Sequence, residues 1–171
     1  MDTKTVKLLA EYNQKTNEKM NRLIERISPA QWDQTFGGYY PNIHALCNHV
    51  YIADFNWLKR FGNLREFVYL EDEVFQRQLN QASSAFESQQ EYLVGRSDLD
   101  LRFLAFVSEL SEEDLEKTLT FKSYNGLDQQ RNFGGAVLHV FNHQTHHRGM
   151  VSVYLDSMGI ENDYSNLIVL V

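Results

Sequence analysis

Four of the six histidines in the sequence fall within residues 139–147: His139, His143, His146 and His147. His143 and His147 are four residues apart, so on a helix their imidazoles project from one face, a turn apart. The apolar positions of this segment place His147 inside the buried face and His143 at its edge, with the other two towards the rim. Neutral imidazoles on a buried face need partners for their nitrogens, and a divalent metal ion is one such partner.

One ion cannot collect every histidine of this helix. His139 and His147 are separated by about 12 Å along the axis, which is too far for metal bonds of about 2 Å. A third ligand must come from another helix, and the candidates are His44 and His49, which point in different directions because they are five residues apart. Helical periodicity favours His49 slightly and leaves His44 open. Histidines that simply pack in a core remain the alternative interpretation.

Three neutral imidazoles leave a divalent ion (Zn, Ni, Fe or Mn) with an open position, as in catalytic metal sites. A thiol at that position would support S-transfer to an electrophile, and water would support hydrolysis. Gln144 follows the first histidine of the pair, where zinc proteases carry Glu, so the protease mechanism lacks its base. Arg148 could bind a carboxylate of a thiol cosubstrate, although an ion pair at the surface or helix end is the commoner use. Asn48, Asn142 and Asp54 could orient imidazoles, although solvation at the rim of the bundle is the commoner use of such residues.

Long helices must position these residues. Helical spacing of apolar residues predicts four of them, over about residues 3–27, 42–61, 83 or 84 to 108, and 135–158. Capping signals at Ser28-Pro29 and at Ser111 predict two short helical turns. Thr118–Ser123 and the following Asn125-Gly126 predict a small hairpin with a type I′ turn. The pattern therefore predicts an all-α four-helix bundle, with a small hairpin before the last helix, as a single domain over residues 1–171.

Composition excludes several classes of function. The chain has 171 residues, 43% of them hydrophobic, and its 16 Lys and Arg against 23 Asp and Glu give a net charge of −7. That charge repels nucleic acid, so we expect no nucleic-acid partner. No apolar run approaches the roughly 20 residues of a membrane span, so we expect no membrane partner. The single Cys47 forms no intramolecular disulfide and is expected to be a packed, unreactive thiol, and we expect a cytoplasmic protein.

Two motifs resemble the signatures of the DinB/YfiT-like superfamily. Residues 142–149, Asn-His-Gln-Thr-His-His-Arg-Gly, resemble the motif of its last helix. Residues 40–49, continued by Asp54 and Trp57, resemble the motif of its second helix, and the order and spacing agree over nearly the whole chain. One departure is Met150, because Gln commonly follows the motif there. It leaves the metal coordination intact, but a polar contact from this position is not expected.

The resemblance implies a four-helix bundle with up-down-down-up connectivity and a metal site of three histidines. His49 matches the ligand of the second helix, and His143 and His147 match the pair on the last helix. Relatives in this superfamily include metal-dependent thiol transferases that use bacillithiol, mycothiol or glutathione, and a mycothiol-dependent maleylpyruvate isomerase. The resemblance therefore implies a metal-dependent S-transferase that joins a low-molecular-weight thiol to a small electrophile.

Two other functions stay open at this point, because neither fold nor metal site chooses among them. One is a metal-dependent hydrolase, and the other is a non-catalytic metal-binding scaffold. The resemblance also implies pairing through helices, so we expect a homodimer with twice the 20.0 kDa mass of the chain.

Overall fold

A computed structural model describes residues 1–80 and 84–171, and this part of the chain contains six α-helices and one hairpin. The helices are α1 (Thr3–Ile24), α2 (Pro29–Trp32), α3 (Ile43–Phe61), α4 (Gln89–Ser108), α5 (Glu112–Glu116) and α6 (Phe133–Ser157). The strands are β1 (Thr118–Lys122) and β2 (Asp128–Asn132), and short 3₁₀ turns cover Val68–Glu71, Glu73–Gln76 and Leu167–Leu170. None of the described helices combines the length and apolar character needed to cross a membrane.

The long helices α1, α3, α4 and α6 form a four-helix bundle, as predicted. The side chain of Gln89, at the start of α4, donates to the backbone oxygen of Ile24 at the end of α1, so these two helices run antiparallel. His44, at the start of α3, lies 3.3 Å from the backbone oxygen of Phe86, just before α4. The helices α3 and α4 therefore run in the same direction, and the long segment between them returns the chain from the end of α3 to the end of the bundle where α3 begins.

The last helix closes the bundle against α3 in the opposite direction. The ring of His49 lies 5.1 Å from that of His143, and the ring of Trp57 lies 5.4 Å from that of His139. Residue numbers thus rise along α3 as they fall along α6, which completes the up-down-down-up order. The antiparallel strands β1 and β2 sit immediately before α6.

Capping residues set most helix boundaries. The predicted caps at Ser28 and Ser111 are confirmed, and each forms a reciprocal capping box. The start of α4 differs from the prediction: the hydroxyl of Ser88 accepts from the backbone of Glu91, so α4 begins later than Ser84. The alternative start at Ser83 lies outside the described residues.

The predicted type I′ turn of the hairpin is wrong. Such a turn requires positive φ at both central residues. Gly126 has φ of 81°, but no residue other than glycine, Asn125 included, has positive φ in the described chain. The backbone N–H of Gly126 donates to the oxygen of Ser123 over 2.9 Å, so a wider turn ending in a left-handed glycine joins the strands.

Candidate metal centre

Three imidazoles converge where α3 meets α6. Nε2 of His143 lies 3.2 Å from Nε2 of His49 and 3.0 Å from Nε2 of His147. One ligand atom from each residue can be chosen so that all three lie within 4.8 Å of one another. His147 is buried, at 6% exposure, whereas the other two are half-buried. The group, which we call the histidine triad, therefore lies at the boundary between core and solvent.

The separations within the histidine triad suit a shared ion. Two nitrogens bound tetrahedrally to one ion at about 2.0–2.1 Å are about 3.3 Å apart, close to the two short separations observed. Hydrogen bonding alone satisfies the group poorly, because Nε2 of a neutral His143 carries either one proton or one lone pair and faces two nitrogens. An all-imidazole donor set suits zinc, iron and nickel. The residues present therefore fit a divalent transition metal.

The protonation states of the triad favour metal binding. Burial, and to a smaller extent the charges of the neighbouring histidines, lower the pKa of His143 to about 4 and that of His147 to about 3. Both imidazoles are consequently neutral near pH 7, so neither must lose a proton before it binds a cation.

These pKa values predict an acid-sensitive fold in the metal-free protein. The unfolded imidazoles have a pKa of 6.5, so between that pH and about 4 the unfolded state binds more protons than the folded state. The stability contributed by neutral His143 and His147 is therefore present above pH 6.5 and is lost as the pH falls. We therefore expect the urea concentration at the unfolding midpoint, measured in the presence of a chelator, to fall as the pH is lowered from 6.5 to about 4. In the double variant His143→Gln/His147→Gln the midpoint should fall less steeply with pH. The matched variant His44→Gln should keep the wild-type slope, and equal slopes in all three proteins would contradict the prediction.

A loop in front of α3 covers two of the imidazoles. The ring of Tyr40 stacks on His49 with centroids 4.5 Å apart, and its edge meets His147 at 5.5 Å. The hydroxyl of Tyr154, on α6, donates to the backbone oxygen of Tyr40 over 2.6 Å. The loop passes so close that a Cβ on Gly38 would lie 2.5 Å from that hydroxyl, so any larger residue there would have to displace the Tyr154 side chain. Tyr40, which the periodicity of the helices could not identify, thus restricts the ring planes of the triad.

The remaining histidines lie outside the triad. Nδ1 of His44 is 2.9 Å from a carboxylate oxygen of Asp33, and its ring stacks on Trp32. His139 and His146 are exposed, and their rings contact neighbouring triad rings from outside. The structure thus brings together the three histidines that the resemblance indicated, and their role as ligands stays a prediction.

Arg148 points away from the triad. It is only 4% exposed, and its guanidinium donates to the side-chain oxygens of Asn13, Asn17 (3.2 Å) and Gln144 (3.3 Å). The commoner alternative, a surface or helix-end ion pair, is therefore not what the structure shows. A cosubstrate carboxylate would have to displace these amides, and binding by Arg148 stays a prediction.

These amides belong to a buried polar layer that crosses the bundle. Arg96 donates to Asp54 over 2.6 Å and to Asp100 over 2.7 Å, and Asn17 donates to Asp100 over 2.9 Å. Burial raises the pKa of Asp54 to about 7, and Arg96 opposes that rise. The polar layer comprises Asn13, Asn17, Asp54, Arg96, Asp100, Gln144 and Arg148.

Three further sequence expectations concern this region. Asp54 is fully buried and paired with Arg96, so it does not orient an imidazole as predicted. The side chain of Asn48 accepts from the backbone ahead of α4 over 2.6 Å, and Asn142 is exposed. Cys47 is buried as predicted, and burial raises the pKa of its thiol to about 12, which leaves it unreactive.

Comparisons with known proteins cover most of the chain. A family model described as the DinB family matches residues 1–167. The chain is similar to Protein DinB of Bacillus subtilis (strain 168), with 24% identity over 153 residues that cover 88% of this chain and 84% of the relative.

Solved structures share the fold. A DinB-like protein from Bacillus subtilis superposes with a TM-score of 0.66 at 15% identity, covering 92% of this chain and 97% of the other. YfiT from Bacillus subtilis, described as a probable metal-dependent hydrolase with an unusual four-helix bundle topology, gives a TM-score of 0.66 at 16% identity, over 94% and 91% of the two chains.

Proposed function

The chain belongs to the DinB family, and from this premise we propose that it is a metal-dependent enzyme whose three histidines hold a divalent ion. His49, His143 and His147 supply the ligands, and the reaction is S-transfer from a low-molecular-weight thiol to a small electrophile. The observation that carries the proposal is the convergence of three imidazole nitrogens at a half-exposed position. A divalent ion there lowers the pKa of a thiol that enters its open position.

In this proposal the protein residues bind and orient the thiol, and bulk water accepts the thiol proton. His49 and His143 are half-buried, so a small thiol can approach the triad from solvent. The ring of Tyr40 restricts that approach to the side it does not cover. In the transfer, a carbon–sulfur bond forms at the electrophile as its leaving group departs with the bonding electrons. The thiol proton passes to bulk water.

The absence of a base at one position favours the thiol over water as nucleophile. Gln144 occupies the site of the catalytic Glu in zinc proteases, and its side-chain oxygen accepts from Asn17 on the far side of α6. A thiol is far more acidic than water, so metal activation suffices for it without a protein base.

Hydrolysis is the second candidate, and one comparison favours it. YfiT shares the fold of this chain and is described as a probable metal-dependent hydrolase. Water at the open position of the ion would then be the nucleophile.

A paired assay separates these reactions. Protein loaded with zinc, nickel, iron(II) or manganese is offered 1-chloro-2,4-dinitrobenzene with glutathione, bacillithiol or mycothiol, and separately 4-nitrophenyl acetate alone. We expect thiol-dependent turnover that falls about 100-fold or more on chelation and in His147→Ala. His44→Ala, a histidine outside the triad, should keep the activity. Ester turnover without thiol turnover would select hydrolysis, and metal binding with neither reaction would select the non-catalytic scaffold.

A further inference from the structure

One arginine on α3, the helix that carries His49, has no anionic partner. The guanidinium of Arg60, in the last turn of α3, lies 5.0 Å from the centroid of the Trp57 ring and 5.7 Å from that of Phe121. Within the described residues, no carboxylate lies within ion-pair distance of it, whereas Arg65, Arg96 and Arg102 each have at least one. Half-burial lowers its pKa, and no acidic group opposes that effect. The exposed part of this half-buried guanidinium can therefore take an anionic ligand as its counter-charge.

The position of Arg60 aligns it with the triad. It follows His49 by eleven residues, which returns it to the same face of α3 within about 20°. Aromatic rings fill the interval: the ring of Trp57 lies 5.4 Å from that of His139, which lies 5.9 Å from that of His143. We call Arg60, Trp57, Phe121 and His139 the Arg60 cluster. It extends from the triad to the hairpin along the contact between α3 and α6.

We propose that Arg60 binds a carboxylate of the thiol cosubstrate while the thiol occupies the histidine triad. The inference rests on the proposed function and names a subsite for it. A guanidinium takes a carboxylate in a bidentate pair, and Trp57 and Phe121 hold its plane. Arg148, the candidate from sequence, has its hydrogen bonds already occupied by amides.

The dimensions suit a thiol of tripeptide size. The guanidinium of Arg60 stands over Trp57, which is eight residues from His49, or about 12 Å along the axis. In a tripeptide thiol such as glutathione the sulfur is on the middle residue, and the fully extended distance from that sulfur to the γ-glutamyl α-carboxylate is about 10 Å. The contacts at the two ends of the ligand supply the remaining distance. Trp57 and His139 would contact the middle of such a ligand.

Binding of S-methylglutathione to metal-loaded protein, measured by calorimetry, tests this subsite. The methyl group blocks the thiol and both carboxylates remain, so binding does not depend on turnover. We expect Arg60→Gln to weaken binding about tenfold or more and Arg60→Lys to restore part of it. The diethyl ester, which lacks both carboxylates, should bind equally to wild type and Arg60→Gln.

Arg131→Gln is the matched control, because Arg131 is an exposed arginine of the hairpin that contains Phe121, and its guanidinium donates to the side-chain oxygen of Gln129. It makes the same charge change outside the Arg60 cluster and should bind like wild type. Equal affinity of wild type and Arg60→Gln for S-methylglutathione, or no binding to wild type, would overturn the subsite. If the protein catalyses thiol transfer but its affinity for S-methylglutathione does not depend on Arg60, only the subsite is rejected. If the affinity depends on Arg60 but no thiol transfer is detected, the subsite is supported and the transfer reaction is rejected.

Discussion

Replacing Arg96 by methionine is expected to lower the free energy of unfolding by about 3–5 kcal/mol, the cost of removing one partner from a buried charge network. Arg96 is 1% exposed and bonds to two carboxylates, at 2.6 Å and 2.7 Å. Without it, Asp54 and Asp100 stay buried with no cation within bonding distance from α4. Burial already raises the pKa of both, so they would take up protons on folding.

Thermal unfolding measures this effect directly. A loss of this size corresponds to a midpoint lower by about 10 °C in a chain of this length. Arg102→Met, on the same helix, is the matched control, because Arg102 pairs with Asp72 near the surface over 2.6 Å. Surface pairs contribute about 1 kcal/mol or less, so that midpoint should fall by only a few degrees. Equal losses in the two variants would contradict the structural role of the polar layer.

Zinc is expected to raise the unfolding midpoint of the wild type strongly and that of His143→Ala hardly at all. Metal at about a thousand times its dissociation constant stabilises the folded state by about 4 kcal/mol, which corresponds to about 10 °C here. His143 is the sensitive position, because its Nε2 lies within 3.2 Å of both other triad nitrogens. Removing the His143 side chain leaves only the imidazoles of His49, on α3, and His147, on α6, as ligands for the ion.

Two controls define the expected pattern for zinc. His44→Ala removes a histidine that faces Asp33 and Trp32, so it should keep the wild-type shift. Circular dichroism of metal-free His143→Ala should match that of the wild type, because the residue is only half-buried. A full zinc shift in His143→Ala would place the metal elsewhere in the chain.

Helical periodicity predicted the bundle and two of the three triad histidines for a simple reason. His143 and His147 share one helix, so their spacing alone fixes their common face. His49 lies on another helix, and its meeting with them depends on how far α3 slides along α6, which no spacing within either helix determines. The resemblance to a family provided that register, and the short distances between Nε2 atoms agree with it.

The interpretation of Arg148 was limited by the same physics. Whether a polar residue beside an apolar stripe is exposed or buried depends on what the neighbouring helix offers it. Asn13 and Asn17 of α1 provide side-chain amides that accept from Arg148, and the spacing of residues within α6 cannot predict this contact with another helix. Arg96 did carry a local signal, because Asp100 follows it at i+4, the spacing of a helical ion pair. The second partner, Asp54, lies on α3 and makes this pair part of a buried network. Its contact with Arg96 depends on how the helices pack, so the sequence of α4 alone does not predict it.

The central claim is that His49, His143 and His147 together bind one divalent ion. Elemental mass spectrometry of untagged protein, after loading with zinc, nickel, iron(II) or manganese and removal of free ion, tests it most directly. The claim predicts about one equivalent of metal per chain in the wild type and in His44→Ala, and almost none in His49→Ala or in His143→Ala. Metal retained in either triad variant, or no metal in the wild type with any of the four ions, would contradict it.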